Sequence, residues 1–286
     1  MTILVTAATG HLGRLVVDAL RERGVAASDI VAGVRTPAKA ADLADSGVNV
    51  VELDYARPET LAPALESVTR VLLISGTDAD RVSGHRNVVD AARAAGIERL
   101  VYTSAPRVDE VDYGLGADHK ATEQAIAASG VSATILRNNW YTENYLDSVA
   151  RAADTGEIVA AVGDARVASA SRRDYAEAAA VALTTDDLAG QTIEIGGDVA
   201  WTYDELAAAA SEVLGRPVTY TPISLEQLTA GLEAAGLDVG TAAFVAGIDD
   251  AIARGALSQT DGSLARLIGR PTTPLVEGLR SGLASR

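Results

Sequence analysis

The chain has 286 residues, a formal net charge of −15 at pH 7 and no cysteine. The charge argues against a nucleic-acid partner, because a phosphate backbone repels an acidic surface. The lack of cysteine excludes a disulfide framework, a thiolate zinc site and a cysteine nucleophile. Hydrophobic residues make up 48% and aromatic residues only 4%, so the core is expected to be built mainly from Ala, Val, Leu and Ile, as in parallel strands covered by helices.

Neither a metal site nor a membrane segment is expected. The three histidines, His11, His85 and His119, are far apart and lack metal-ligand spacing. The first residues lead straight into a strand, and no run of about 20 apolar residues follows. These features favour a soluble, cytoplasmic protein, and the oligomeric state is left open.

The first 35 residues are typical of a βαβ unit. The apolar run Ile3–Val5 enters the turn TAATGHLG at residues 6–13, an amphipathic helix follows, and a second apolar run, Ile30–Val34, ends on Arg35. In such a unit a dinucleotide pyrophosphate rests on the helix N-terminus. The alternative is an ordinary strand-to-helix turn, since Ala7 stands where a fuller fingerprint has its first glycine.

The turn supplies most of the predicted cofactor contacts. Gly10 lets the backbone approach the phosphates, and Gly13 lets the helix pack closely on the strands. The predicted contacts from this turn are Thr6, Ala7, Ala8, Thr9, Gly10, His11 and Leu12.

Arg35 indicates which cofactor binds. An NAD-selective unit usually carries Asp or Glu at the end of its second strand, and this chain carries a guanidinium there. Arg binds a phosphate with two parallel hydrogen bonds, so the cofactor is expected to be NADP(H). The alternative is a solvated surface arginine.

Further strands are predicted at residues 48–53, 70–74, 100–103 and 131–136, with helices between them, among others at about 37–45 and 117–129. Ligands of open parallel sheets bind at the carboxyl ends of strands. The fourth strand is followed there by Ser75, Gly76 and Thr77, and the fifth by Ser104. The sixth is followed by RNNWYTENY at residues 137–145, whose amides suit a nicotinamide or a substrate carbonyl.

Strands and helices alternate up to about residue 145, which predicts an α/β fold with a Rossmann-type doubly wound parallel sheet. Residues 1–145 would form the NADP-binding domain. Residues 146–286 would form a smaller, mostly helical substrate lobe with short strands at about 158–162, 192–195 and 218–220, some of which could return to the main sheet.

At these residues the chain resembles atypical short-chain dehydrogenases/reductases of the NmrA-like group and, within it, the NADPH-dependent quinone oxidoreductases. The resemblance spans nearly the whole chain. It rests on TAATGHLG, VRTPAKA at 34–40, HKATEQAIAASG at 119–130, LRNNWYTENY at 136–145, SRRDYAEAA at 171–179 and LIGRPTTPL at 267–275.

The resemblance implies NADP(H) in the turn at residues 7–12 with Arg35 on its phosphate, and further contacts from residues 75–77 and 138–143. The last segment contributes Asn138, Asn139, Trp140, Tyr141 and Glu143. The chain departs from the family pattern at two positions. Ala7 replaces the usual glycine, which is tolerable if its φ is negative. Asn139 stands where a glycine commonly precedes the Trp-Tyr pair, and it either narrows the substrate pocket or adopts the same left-handed backbone.

Ordinary members of the wider superfamily use a Tyr-x-x-x-Lys pair, in which the tyrosine protonates a carbonyl oxygen. Here Leu115 falls near the tyrosine position and His119 near the lysine position. The missing acid favours a quinone acceptor, whose product anion is a delocalised phenolate. Because the chain has no cysteine and no flavin signature, the hydride is expected to pass directly from the nicotinamide to the acceptor.

The candidate catalytic residues are His119, Tyr141 and Tyr113. His119 would orient a quinone oxygen or supply a proton near neutral pH, unless it is a helix-face histidine bonded to a neighbour. Trp140 and Tyr145 would extend an aromatic wall with the two tyrosines, although core packing is an equal alternative for Trp140.

Two other classes of function remain open. One is a non-catalytic NmrA-like regulator that senses NADP(H), and the other is a nicotinamide-dependent tailoring enzyme for a polycyclic aromatic polyketide.

Overall fold

A parallel sheet forms the centre of the fold. The computed structural model of the protein describes residues 1–76, 78–111 and 113–286, without the Leu115 side chain. Seven strands form the sheet: β1 (Ile3–Val5), β2 (Ile30–Val34), β3 (Asn49–Glu52), β4 (Arg70–Leu73), β5 (Arg99–Ser104), β6 (Ala133–Asn138) and β9 (Thr192–Ile195). Their spatial order is β3-β2-β1-β4-β5-β6-β9, and the pairs from β3 to β6 are parallel.

The remaining described strands form two small ribbons. They are β7 (Glu157–Ala160), β8 (Arg166–Val167), β10 (Trp201–Thr202) and β11 (Thr219–Pro222). β7 pairs with β11 in parallel, and β8 pairs with β10 antiparallel.

Helices follow most of the strands. They are α1 (His11–Glu22), α2 (Ala41–Asp45), α3 (Leu61–Ala64), α4 (Arg81–Ala94), α5 (Gly114–Ser129), α6 (Leu146–Thr155), α7 (Arg172–Thr184), α8 (Tyr203–Leu214), α9 (Leu225–Ala234), α10 (Val239–Ala253), α11 (Ser263–Ile268) and α12 (Leu275–Ala284). None of the helices in the described ranges is long and apolar enough to cross a membrane.

The central strands are buried along their whole length, which explains their continuous apolar runs. Every residue of β1, β2 and β5 is buried. Strands of a doubly wound sheet need this pattern because helices cover both of its faces. The strand order reverses direction between β1 and β4, as in nucleotide-binding Rossmann folds, and the predicted fold class is confirmed.

The chain forms two compact units. The first contains Met1–Ala105, Ala117–Asn138 and Arg172–Glu194; the second contains Pro106–Gly116, Asn139–Ser171 and Ile195–Arg286. The strand expected at residues 192–195 joins the main sheet beside β6. The proposed domain boundary between residues 145 and 146 stays a prediction.

The second unit has its own apolar core. Rings pack edge to face in it, with Tyr145 5.0 Å from Trp201 and 5.8 Å from Tyr203 between ring centroids. Burial raises the pKa of the Tyr145 hydroxyl well above its ordinary value, and the nearby Tyr203 raises it further. These phenols therefore stay protonated in the core.

Some element bounds differ from the sequence-based expectation. The helix predicted over residues 37–45 is a 3-10 turn, Pro37–Ala40, followed by α2. The helix expected to begin near Ala117 begins at Gly114. Proline near the start of a helix is tolerated because its missing N–H has no partner in the first turn, and its fixed φ suits the tighter turn.

Gly13 is a point where the fold admits no side chain. A Cβ there would lie 2.8 Å from Ala8 Cα and closer still to the Ala7 carbonyl oxygen, whereas a Cβ at Gly231 in α9 would meet no atom within 4 Å. We expect Gly13→Ala to lower the free energy of unfolding by about 1–3 kcal/mol through overpacking. Gly231→Ala should raise it by about 1 kcal/mol, because alanine favours a helix interior.

Urea unfolding of the two variants beside the parent protein measures both effects. A Gly13→Ala protein as stable as the parent would contradict the close contact between α1 and the preceding turn.

Candidate functional site

The turn between β1 and α1 is held by its own backbone. The amide of Ala8 donates to the Gly33 carbonyl of β2 at 3.2 Å, and the amide of Gly10 donates to the Ala7 carbonyl at 2.9 Å. A Cβ on Gly10 would lie 3.1 Å from the same carbonyl oxygen. The turn therefore leaves little room for a side chain at position 10.

The N-terminus of α1 fits an anionic group. Gly10 is its N-cap, and no side chain of the described residues caps it. The first amides of a helix have no acceptor within the helix, so they are available to a phosphate, and the helix dipole adds a partial positive charge. Gly10 and His11 are exposed and Thr9 is half-buried, so this end of α1 is accessible.

Ala7 does not adopt the expected negative φ. Its φ is +48°, in the left-handed region that glycine favours. The carbonyl of Ala7 accepts the Gly10 amide and lies against Gly13, so the turn and the close helix impose this conformation. Alanine tolerates it at a cost of about 1–2 kcal/mol. The negative φ on which the tolerance of alanine was expected to depend is therefore not present, and the turn accommodates Ala7 with a positive φ.

Thr6 and Leu12, two of the predicted contacts in the turn, have buried side chains, as does Ala8. Thr6 is fully buried, and its hydroxyl shares a hydrogen bond with Tyr55 and accepts the Ile74 amide at 3.0 Å. Leu12 is buried in the core. Any contact of these two residues with a cofactor would come from the backbone, and their role stays a prediction.

Arg35 follows β2 and is exposed. Its guanidinium lies 3.7 Å from the Asp78 carboxylate, and both side chains are about 70% exposed (70% and 68%). An exposed ion pair of this kind contributes about 0–1 kcal/mol. A doubly charged phosphate can therefore compete with Asp78 for the guanidinium.

Ser75 and Gly76 follow β4 and are half-buried, whereas Thr77 lies outside the described residues. The Ser75 amide donates to Thr103 Oγ1 at 2.9 Å, and the Gly76 amide donates to His85 Nε2 at 3.0 Å. The backbone of this segment is thus held by side chains.

Ser104, at the end of β5, has its hydroxyl proton engaged. Its Oγ donates to Glu123 Oε1 at 2.5 Å. Arg137 holds the same carboxylate with two hydrogen bonds, at 3.0 and 2.7 Å, and donates to Glu194 at 3.1 Å. Ser104 is only 4% exposed and its proton stays with Glu123, so any hydrogen bond of its side chain to a ligand would use the remaining lone pairs.

His119 lies on α5 and is only 7% exposed. Its Nδ1 shares a hydrogen bond of 2.8 Å with the Tyr102 hydroxyl. Burial lowers the pKa of His119 to about 4, with smaller contributions from the neighbouring His85 and Arg81. The expectation that its charge changes near neutral pH is wrong. This environment matches the alternative of a helix-face histidine bonded to a neighbour, and a catalytic role stays a prediction.

His85 was not selected from the sequence as a functional residue. It is 1% exposed, and its ring packs edge-on against Tyr55 and Tyr102, with centroid distances of 5.9 and 5.7 Å. Burial lowers its pKa to about 4. The sequence contains a pattern that indicates this burial, because His85 shares one helix face with the apolar residues Val88, Val89 and Ala92.

The amides after β6 are both buried, with Asn138 5% and Asn139 6% exposed. The Asn139 side chain donates to the Leu257 carbonyl at 3.2 Å and accepts the Trp140 amide at 2.8 Å. Outside glycine, the described residues with positive φ are Ala7, Ser67 and Arg107. The left-handed backbone suggested for Asn139 is therefore wrong, and its side chain fixes the Trp140 backbone instead.

The segment from Trp140 to Glu143 lies in the second unit. Trp140 and Thr142 are hydrogen-bonded to Ala170 on either side of Tyr141, at 3.1 and 2.9 Å. Tyr141 and Glu143 are half-buried. Trp140 packs against the apolar core of this unit, which agrees with the core alternative for this residue.

Tyr113 also packs against the core of the second unit. Its hydroxyl donates to the Pro106 carbonyl. The catalytic assignments of Tyr113 and Tyr141 stay predictions.

A cavity of about 630 Å³ lies within the second unit. Its described walls include Ser169, Trp201, Pro271 and Leu275, and carboxylates such as Glu205. Of the predicted cofactor and catalytic residues that the structure describes, which leaves out Thr77, none lines it. In the described ranges no group of three or more His, Asp or Glu residues could hold a metal ion.

Comparisons with known proteins agree with this geometry. Residues 7–186 match a family model described as NAD(P)H-binding. Quinone oxidoreductase 2 of Escherichia coli is 42% identical over 278 residues, which cover 97% of each chain. The crystal structure of the Escherichia coli enzyme with NADPH has a TM-score of 0.93 and covers 98% of this chain and 99% of that one.

A second solved structure is equally similar in fold. Triphenylmethane reductase of Citrobacter sp. in complex with NADP(H) has a TM-score of 0.93 and 39% identity, covering 99% of this chain and all of that chain (100%). The parallel sheet and the uncapped turn define a dinucleotide-binding protein of the Rossmann class. The chain belongs to the NAD(P)H-binding family, and the expected resemblance to NmrA-like reductases of the quinone oxidoreductase type is confirmed.

The buried histidines make stability depend on pH. The unfolded chain binds a proton at His119 below about pH 6.5, whereas the folded protein does so only near pH 4. Protonation in this window favours the unfolded chain, so stability is lost as the pH falls from 6.5 towards 4. Each such histidine adds about 1.4 kcal/mol per pH unit to the slope.

Urea unfolding between about pH 5 and 6 tests this linkage. His119→Gln should reduce the slope of stability against pH by about 1.4 kcal/mol per unit. The parent protein, measured beside the variant over the same pH range, is the reference. An unaltered slope for His119→Gln would mean that this histidine is protonated equally in both states.

Proposed function

We propose that this protein is an NADPH-dependent oxidoreductase that transfers a hydride directly to a quinone-type or related aromatic carbonyl acceptor. The observation that carries the proposal is the similarity to an NADPH-bound quinone oxidoreductase over almost the full length of both chains. The open N-terminus of α1 supports it, because it fits a pyrophosphate.

Each part of the cofactor has a proposed place. The turn at residues 7–12 would hold the pyrophosphate through backbone amides, and Arg35 would bind the 2′-phosphate that distinguishes NADPH from NADH. Ser104 would accept a hydrogen bond, since its own proton is given to Glu123. Asn138 and the segment from Asn139 to Glu143 are the proposed contacts for the nicotinamide end. When bound, NADPH supplies the hydride.

The acceptor needs little help from an acid. Burial lowers the pKa of His119 to about 4, so the imidazole is neutral at physiological pH and does not act as a cationic acid. A quinone is suited to such a site, because the charge of its reduced form is delocalised over the ring. Half-buried Tyr141 is the proposed aromatic contact for the acceptor, and Tyr113 a second one.

Single-turnover mixing with deuterated cofactor tests the proposal. The purified protein should be colourless and should oxidise NADPH in equal amount to an added simple quinone. NADPH that carries deuterium on one face of C4 should react more slowly, and the opposite diastereomer should not, because one face of the nicotinamide is presented to the acceptor.

Two results would contradict the proposal, and a third would identify a different class of quinone substrate. A bound flavin spectrum would indicate a different route for the electrons. Tight NADPH binding without turnover on any quinone would favour a sensor of NADP(H). Turnover of polycyclic but not simple quinones would favour a tailoring enzyme.

Arg35→Ala should separate the two cofactors. Loss of charge-assisted hydrogen bonds to the 2′-phosphate should weaken NADPH binding by about 1.5–3 kcal/mol, while NADH binding stays nearly unchanged. Arg35→Lys keeps the charge without the planar fork and should give an intermediate loss.

Calorimetric titration of both cofactors measures these changes. Arg57→Ala is the control for overall charge, because Arg57 is an exposed arginine paired with Glu52 and Glu59. Equal weakening of NADH and NADPH by Arg35→Ala, or tighter binding of NADH than of NADPH by the parent, would rule out the assignment.

A further inference from the structure

Three consecutive amides after β4 donate to side chains of three different elements. The Ile74 amide donates to Thr6 Oγ1 at 3.0 Å, the Ser75 amide to Thr103 Oγ1 at 2.9 Å, and the Gly76 amide to His85 Nε2 at 3.0 Å. A backbone segment beyond the end of a strand normally has no ladder partners. Here its donors are held by groups placed by β1, β5 and α4.

The bond to His85 requires one tautomer. Because the Gly76 amide donates to Nε2, that nitrogen carries a lone pair and the ring proton lies on Nδ1. Nδ1 lies 2.9 Å from Thr122 Oγ1, and the Thr122 hydroxyl donates to the Asp118 carbonyl at 3.0 Å. In this series of hydrogen bonds the donors of Gly76, His85 and Thr122 all point in the same direction. A neutral imidazole ring at His85 gives each donor an acceptor.

Because these amides already donate to side chains of the protein, the kinds of ligand group that this segment can bind are limited. The amides of Ser75 and Gly76 face side chains of the protein, so they cannot cradle a phosphate as the N-terminus of α1 does. Backbone carbonyls and the Ser75 hydroxyl remain the groups with acceptor capacity. Acceptors of this kind suit the ribose hydroxyls of a dinucleotide.

We propose that His85 is a positioning residue for the nicotinamide cofactor: its Nε2 holds the Gly76 amide, and this fixes Ser75 and Gly76 so that their carbonyls accept hydrogen bonds from ribose hydroxyls. The proposal rests on the proposed function, since it assumes that NADPH binds at the carboxyl ends of the strands. His85 itself touches neither cofactor nor acceptor and acts through the backbone of Gly76.

Two variants that differ by one methylene separate the ends of the imidazole. The amide of glutamine reaches the position of Nε2 and can accept the Gly76 N–H. The amide of asparagine ends near Nδ1, so that His85→Asn keeps a partner for Thr122 and loses the bond to Gly76. Thr122→Val is the matched control, because it breaks the same buried network at Thr122 and leaves the Gly76 bond.

The measurements are the dissociation constant for NADPH and the deuterium exchange of the peptide containing residues 74–76 in the cofactor-free protein. His85→Asn should raise the dissociation constant by about 3- to 10-fold, the scale of one hydrogen bond, and speed up exchange of this peptide. His85→Gln and Thr122→Val should stay near the parent in both measurements, even where thermal unfolding shows a loss of stability.

Several outcomes would overturn the proposal. The proposal fails if His85→Asn binds NADPH as tightly as the parent does. It also fails if His85→Asn and His85→Gln weaken NADPH binding equally. Equal weakening by Thr122→Val would reduce His85 to a structural role. If the parent protein itself bound no NADPH, the proposed function would fail together with this one, whereas unequal exchange in the Asn and Gln variants would still establish the bond to Gly76.

Discussion

The close contact between α1 and the turn before it determines the rest of the cofactor site. Gly13 admits no Cβ because the Ala7 carbonyl and Ala8 Cα lie against it. The helix therefore starts after a turn of five residues beyond the end of β1, so that its N-terminus lies near the carboxyl end of that strand. The same contact holds Ala7 in a left-handed conformation. The backbone strain at Ala7 thus accompanies a helix end that can bind phosphate.

Phosphate binding in so acidic a chain depends on local arrangement. The net charge is −15, and many arginines of the first unit are neutralised by carboxylates, as in the pairs of Arg14 with Asp42 and Arg137 with Glu123. Backbone amides provide positive potential without adding a cation, so they bind an anion while surrounding charges stay paired. Arg35 differs because its own side chain is 70% exposed and its ion pair with Asp78 is long, at 3.7 Å. His85 and His119 are buried with lowered pKa values, so each supplies polar ring nitrogens without a net charge at neutral pH.

Features set by local sequence were predictable. The apolar run of β1, the turn glycines and the periodicity of α1 lie within the first 22 residues, and they correctly predicted a strand, a turn and a helix there. Features set by distant contacts were not. The φ of Ala7 depends on how closely α1 packs, and the role of Asn139 depends on Leu257, more than a hundred residues away. The burial that lowers the pKa of His119 comes from packing around α5, which periodicity alone does not define.

The order in which the chain builds the first unit has a consequence for its synthesis. Residues Arg172–Glu194 belong to that unit: α7 packs on α1, where Arg173 is paired with Glu22, and β9 lies beside β6 at the edge of the sheet. A ribosome completes the first six strands of the sheet long before it reaches this segment. Until then the nascent sheet has an open edge at β6 and an uncovered apolar surface on α1. The nascent chain therefore exposes an unpaired strand edge and an apolar helix face until residues 172–195 have emerged.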